Sequence, residues 1–143
     1  MPKSRLTFKT LKEDIAMVKI QFLGKIDIQI LEKEYGKILT DEIIVTNERI
    51  SHIKERHPED YSLFEKYGCE SVTSPDLIIK DIKHCGTVFM IKKLPQTNLN
   101  VIVRVVLETD NNNLKNSIVT FYRIRDKNLK KLIEKNRLLY KKE

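Results

Sequence analysis

The sequence predicts a single α+β domain in which N-terminal helices pack on a four-stranded antiparallel sheet and a basic helix closes the chain. Three observations predict it. Helical patterns with recognisable caps dominate residues 28–73, and four β-rich runs crowd into residues 76–124. The turns between those runs are short, which makes consecutive strands antiparallel and leaves the helices to cover the sheet. The length of 143 residues suits one domain (residues 1–143) with one core.

Taken in order, residues 15–23 (IAMVKIQFL) alternate in part and read as a first strand, interrupted by Gly24. Asp27 reads as the N-cap of a short helix, IQILEKEY, with Gly36 at its C-terminal end. EIIVT (42–46) is short and β-branched, a strand or a strand-like lead-in. Thr46 or Asn47 caps the helix ERISHIKERH, which Pro58 closes because the residue before a proline resists helical ψ. A second helical stretch covers about 60–73 and is broken by Ser74-Pro75-Asp76. The four strands then read DLIIKDI, TVFMIKKL, NVIVRVVLE and NSIVTFYRI. Pro95-Gln96-Thr97-Asn98 joins the second to the third, and Asp110-Asn111-Asn112-Asn113 the third to the fourth. The closing KNLKKLIEKNRLLY carries Leu129, Leu132 and Ile133 at helical spacing.

Composition narrows the function classes. Hydrophobic content of 41% and charged content of 33% are those of an ordinary globular protein. No apolar run approaches the ~20 residues that cross a bilayer. The opening MPKSRLTFKTLKEDI has no apolar stretch of signal-peptide type. Cys69 and Cys85 read as reduced thiols, and these features together point to the cytoplasm with no membrane partner. The net charge is +7, and the segment from Arg123 to Glu143 holds nine Lys/Arg against three acids. A terminal element so charged attracts phosphates and speeds encounter with a polyanion.

Three histidines bound the acid–base chemistry, and two of them, His52 and His57, lie five apart on one predicted helix. Five residues turn about 500°, so the two rings point roughly 140° apart. His57 falls on the face of Ile50 and Ile53, and His52 nearer Arg49 and Arg56. An HxxxH zinc pair needs four-residue spacing, and the adjacent His84-Cys85 without a CxxC argues against a zinc site; no metal or cofactor is expected. Arg104 interrupts an apolar strand, on the side of Ile102 and Val106. In the next strand, alternation puts Ile118, Thr120 and Tyr122 on one face and Ser117, Val119, Phe121 and Arg123 on the other. A histidine for proton transfer, an arginine for phosphate and a hydroxyl for a non-bridging oxygen make a workable set for cutting RNA. RNA carries its own nucleophile in the ribose 2′-hydroxyl.

Several motifs recur together: Val45-Thr46-Asn47-Glu48-Arg49-Ile50-Ser51-His52-Ile53-Lys54-Glu55-Arg56-His57-Pro58, then Val103-Arg104-Val105, then Asn116-Ser117-Ile118-Val119-Thr120-Phe121-Tyr122-Arg123-Ile124-Arg125, and a tail Leu138-Leu139-Tyr140-Lys141-Lys142. From about residue 24 to the C-terminus the chain resembles the phage and mobile-element branch of the barnase–EndoU–colicin–RelE-like (BECR fold) nucleases. That resemblance implies helices on a four-stranded antiparallel sheet and a metal-independent endoribonuclease. It implies His57, or else His52, as the acid/base, with Arg104 at the phosphate and Ser117 and Thr120 as the hydroxyls. Arg56, Arg123, Arg125, Lys130, Lys131 and Tyr140 are the expected substrate-binding residues. The expected partners are RNA, as tRNA or mRNA, and an inhibitor or immunity protein of a toxin-like effector. The alternative is a non-catalytic RNA-binding or assembly module of a mobile element.

Overall fold

The computed structural model describes residues 20–110 and 114–143. Its strands are β1 (Ile20–Lys25), β2 (Glu42–Thr46), β3 (Leu77–Lys80), β4 (Thr87–Lys93), β5 (Asn98–Arg104), β6 (Asn116–Ile124) and β7 (Arg137–Lys141). The helices are α1 (Ile28–Tyr35), α2 (Asn47–Arg56), α3 (Pro58–Thr73) and α4 (Asp126–Lys135). All the strands join one sheet in the order β1-β2-β6-β5-β4-β3-β7, with β2 and β6 parallel and every other neighbour antiparallel.

The expected four-stranded antiparallel sheet is therefore corrected to a seven-stranded mixed sheet, still α+β. Strands β4, β5 and β6 do form consecutive antiparallel pairs. The additions come from both ends of the chain. EIIVT enters the sheet beside β6, and β1 pairs on its outer side. The predicted stretch 15–19 of the first strand lies outside the described residues, as do Asn111, Asn112 and Asn113 of the predicted turn. At the C-terminus the helix stops at Lys135, with Asn136 as its cap, and RLLYK turns back as an edge strand on β3.

Side chains alternate across the sheet and so build two cores. Ile43, Val45, Val88, Met90, Val101, Val103, Ile118 and Phe121 point to the helical side, where they meet Ile53 of α2 and Phe64 and Val72 of α3. Phe64 stacks on Phe121 with ring centroids 3.9 Å apart. Thr46 caps α2 by accepting from Arg49 N at 3.1 Å, and Pro58 opens α3, where a missing N–H is harmless. On the opposite face Leu77, Ile79, Phe89, Ile91 and Ile124 pack under Leu129 of α4, with Ile102, Leu132 and Ile133 beside them. Helix α4 thus covers part of the second face of the sheet.

Asn116 joins β2 to β5. Its fully buried amide donates to Thr40 O and Glu42 O at 2.6 and 2.9 Å and accepts from Val106 N at 2.8 Å. Asn116→Ala strands the buried Val106 N–H, at a cost of about 1–3 kcal/mol, and removes the partner of two half-buried carbonyls. A loss of at least ~2 kcal/mol is expected in chemical denaturation, with an unchanged slope against denaturant.

Candidate active site

The second face of the sheet is only partly covered by α4, and at the open corner lies a cleft of about 660 Å³. Asp81, Lys83, His84, Cys85, Thr87, Phe89, Ile102, Arg104 and Val119 line it. Two rows of strand residues run beneath it. Thr87, Arg104 and Ser117 are paired across β4, β5 and β6, which puts the arginine in register with a hydroxyl residue on each neighbouring strand. The next row pairs Phe89, Ile102 and Thr120, an apolar floor ending in a third hydroxyl.

A bulge in β6 creates this arrangement. The register slips between Ile102 and Val103, where Thr120 and Ile118 are the successive partners and Val119 is passed over. Strict alternation puts Ser117 and Thr120 on opposite faces, and the extra residue brings them to the same one. Ile118, expected beside Thr120, turns into the helical core instead.

Arg104 is held on several sides. Its Nη1 donates to Val105 O, and Nη2 lies 3.5 Å from Asp110 Oδ1. Its guanidinium lies against Gly86, where a Cβ would overlap Nη1 outright, and Gly86 has φ +82°. Glycine is required there twice over, for the backbone and for the close approach. The side chain is still 41% exposed, so its remaining donors are open to an anion.

The loop between β3 and β4 brings a carboxylate–imidazole pair to the cleft. Asp81 Oδ1 accepts from Lys83 N at 2.8 Å, which folds the loop into a tight turn. Asp81 Oδ2 lies 2.8 Å from His84 Nδ1. A carboxylate only accepts, so this contact puts the proton of neutral His84 on Nδ1 and leaves Nε2 as a base. Asp81 is buried, whereas the His84 side chain is 72% exposed. The loop is braced from α4, because Asn136 Oδ1 accepts from Ile82 N at 3.1 Å.

The other expected site residues are distributed differently. His52 is exposed on α2, and His57 is exposed at the α2–α3 junction. That junction packs on the helical face: Asp60, one turn on, accepts from Arg123 N and Nε at 3.3 and 2.7 Å. The two histidines and Arg104 therefore lie on opposite faces of the sheet. Arg56 is exposed beside His57. Arg123 and Arg125 line a separate hollow with Asp60, Gln96 and Thr97. Tyr140 packs on the helical core at the β7 edge, near Val72 and Ile78. Lys130 and Lys131 are exposed on α4. Asp81 and Thr87 carry no expected role in the sequence, and His84 enters there only as a rejected zinc ligand. The available signal was an Asp three residues before a His in a glycine-containing segment between two β-rich runs.

A family model for phage-Barnase-EndoU-ColicinE5/D-RelE like nuclease2 matches residues 21–141. The chain belongs to this nuclease family. No curated protein and no solved structure matched it in the same comparisons. The family match spans all the strands from β2 to β7, so the loop with His84 and the row with Arg104 both lie within the nuclease region. Among the described residues no helix of this nuclease is long and apolar enough to cross a membrane, and no three His, Cys, Asp or Glu side chains group as metal ligands.

Proposed function

We propose that this nuclease cleaves RNA by attack of the ribose 2′-hydroxyl on its own phosphodiester, using side chains alone. The observation that carries the reading is the His84–Asp81 contact at the mouth of the cleft that holds Arg104. His84 Nε2 takes the proton of the 2′-hydroxyl while Asp81 holds the ring and stabilises the imidazolium. Arg104 binds the scissile phosphate with paired donors, and the flanking hydroxyls of Thr87 and Ser117 bond its non-bridging oxygens as charge builds on the phosphorane. Lys83, in the same loop, donates the proton with which the 5′-oxygen departs as an alcohol. The apolar floor of Phe89 and Ile102 lies under the neighbouring sugar and base. Exposed Lys127, Lys130, Lys131 and Lys135 of α4 add an attractive field beside the cleft.

The chemistry fixes the product. Cleavage of a defined oligoribonucleotide should leave a 2′,3′-cyclic phosphate or its hydrolysis product, proceed in EDTA, and stop when the cut nucleotide is replaced by its 2′-deoxy form. Mass spectrometry of the fragments reads all three. RNA binding without any cleavage would support a non-catalytic binding module instead.

A further inference from the structure

The chain carries a net charge of +7, yet the cleft that holds Arg104 is charge-balanced. The cations lining it are Lys83 and Arg104. Against them stand Asp81, in the same lining, and Asp110, whose Oδ1 lies 3.5 Å from Arg104 Nη2. With His84 neutral the four charges cancel. The field that draws in a polyanion comes from the lysines of α4, outside the cleft.

Asp110 is a fixed carboxylate. Its N–H donates to Leu107 O at 2.9 Å, and its Oδ2 accepts from Leu107 N at 2.8 Å. Leu107 is bridged in turn to Ile38, and Leu39 N donates to Val106 O at 3.1 Å. One carboxylate oxygen thus closes a backbone turn while the other faces the guanidinium, and only 24% of the side chain is exposed. An anion on the remaining donors of Arg104 lies within the ~10 Å over which charges act on one another at 0.1 M salt. The repulsion it meets from Asp110 grows in proportion to its own charge.

We propose that Asp110 is a specificity-determining residue, whose carboxylate makes the Arg104 site accept a singly charged phosphodiester and turn away a doubly charged phosphate monoester. The role rests on the nuclease reading of the cleft. An internal linkage of RNA carries one negative charge, whereas a terminal monoester loses its second proton at about pH 6. The filter therefore favours internal positions on a strand, and it expels a product end once its cyclic phosphate has been hydrolysed.

Asp110→Asn removes the charge and keeps an oxygen to accept from Leu107 N. Two uncleavable probes at about pH 8 separate the ligand charges. One is a nucleoside 3′-monophosphate; the other is a dinucleotide whose single internal linkage follows a 2′-deoxyribose. NMR titration of both proteins reads the four dissociation constants. The variant should bind the dinucleotide about threefold more tightly and the monophosphate about tenfold, because doubling the ligand's charge squares the gain. Asp81, Lys83, His84 and Arg104 are the same in both proteins. An equal gain for the two probes overturns the proposal, since the carboxylate would then only compete for a donor. Unchanged affinities overturn it as well. So does weaker binding of both, which would make Asp110 a brace for Arg104 and nothing more. In RNA cleavage, inhibition by the monophosphate should strengthen about tenfold in the variant. The squared gain in a protein that cuts no RNA supports the charge filter while removing the nuclease reading. Cleavage accompanied by equal gains does the reverse.

Discussion

His84→Ala is expected to lower the rate of RNA cleavage by ~10²–10⁴-fold, the usual loss when a general acid or base is removed. Stability should change little, because the side chain is 72% exposed and, among the described residues, its one partner is Asp81. Asp81→Asn should also be impaired, since an amide can donate to Nδ1 and place the ring proton on Nε2, the wrong nitrogen for a base. His57→Ala and His52→Ala are the informative controls. Both histidines sit on the helical side of the sheet, away from Arg104, and both variants should cut at close to the wild-type rate. Single-turnover cleavage of one oligoribonucleotide by the four variants decides the matter. A dead His57→Ala beside an active His84→Ala would move the acid–base chemistry to the α2–α3 junction.

Gly86→Ala should lower kcat/KM by about 10²-fold, although Gly86 has no side chain to offer a substrate. Residue 86 has φ +82°, and its added methyl would occupy the space of Arg104 Nη1. The backbone strain of an L-residue there costs roughly 1–2 kcal/mol of stability. The larger effect is on the site, because a displacement of about 1 Å in a phosphate-positioning group is enough for ~10²-fold in rate. The variant should resemble Arg104→Ala in kinetics and remain cooperative in thermal unfolding. Wild-type kinetics in Gly86→Ala would show that the loop does not hold the guanidinium.

Short-range chemistry was legible in the sequence. The Asp27 and Thr46 caps, the Gly36 stop and the Pro58 boundary each depend on a few neighbouring residues, and each is where local rules put it. The parallel pairing of β2 with β6 joins Ile43 and Ile44 to Asn116 and Ser117, and no pattern within either segment announces so distant a partner. RLLYK reads equally well as more helix, since two adjacent leucines fit either period; only Asn136 marks the break. In the site, Arg104 and Thr120 were visible as polar interruptions of β strands. Ser117 was assigned to the wrong face because a bulge has no reliable local signature. The Asp81–His84 contact is hidden for a different reason: DLIIKDI reads as strand through Ile82, whereas β3 ends at Lys80 and leaves Asp81 free to turn toward the histidine.

The order in which these pieces pair has a consequence for synthesis. Strand β2 meets its parallel neighbour only after Asn116 and Ser117 have emerged from the ribosome, and the loop of His84 receives its brace from Asn136 later still. Contacts between such distant residues form late, because the intervening chain must be ordered before they contribute. At roughly 5–20 residues per second of elongation, the nascent chain spends seconds with Arg104 made and its neighbouring strand missing. The Ser117 hydroxyl and the Asn136 brace therefore join the groups of residues 81–104 last, so the proposed cleft is completed only when most of the chain has been made.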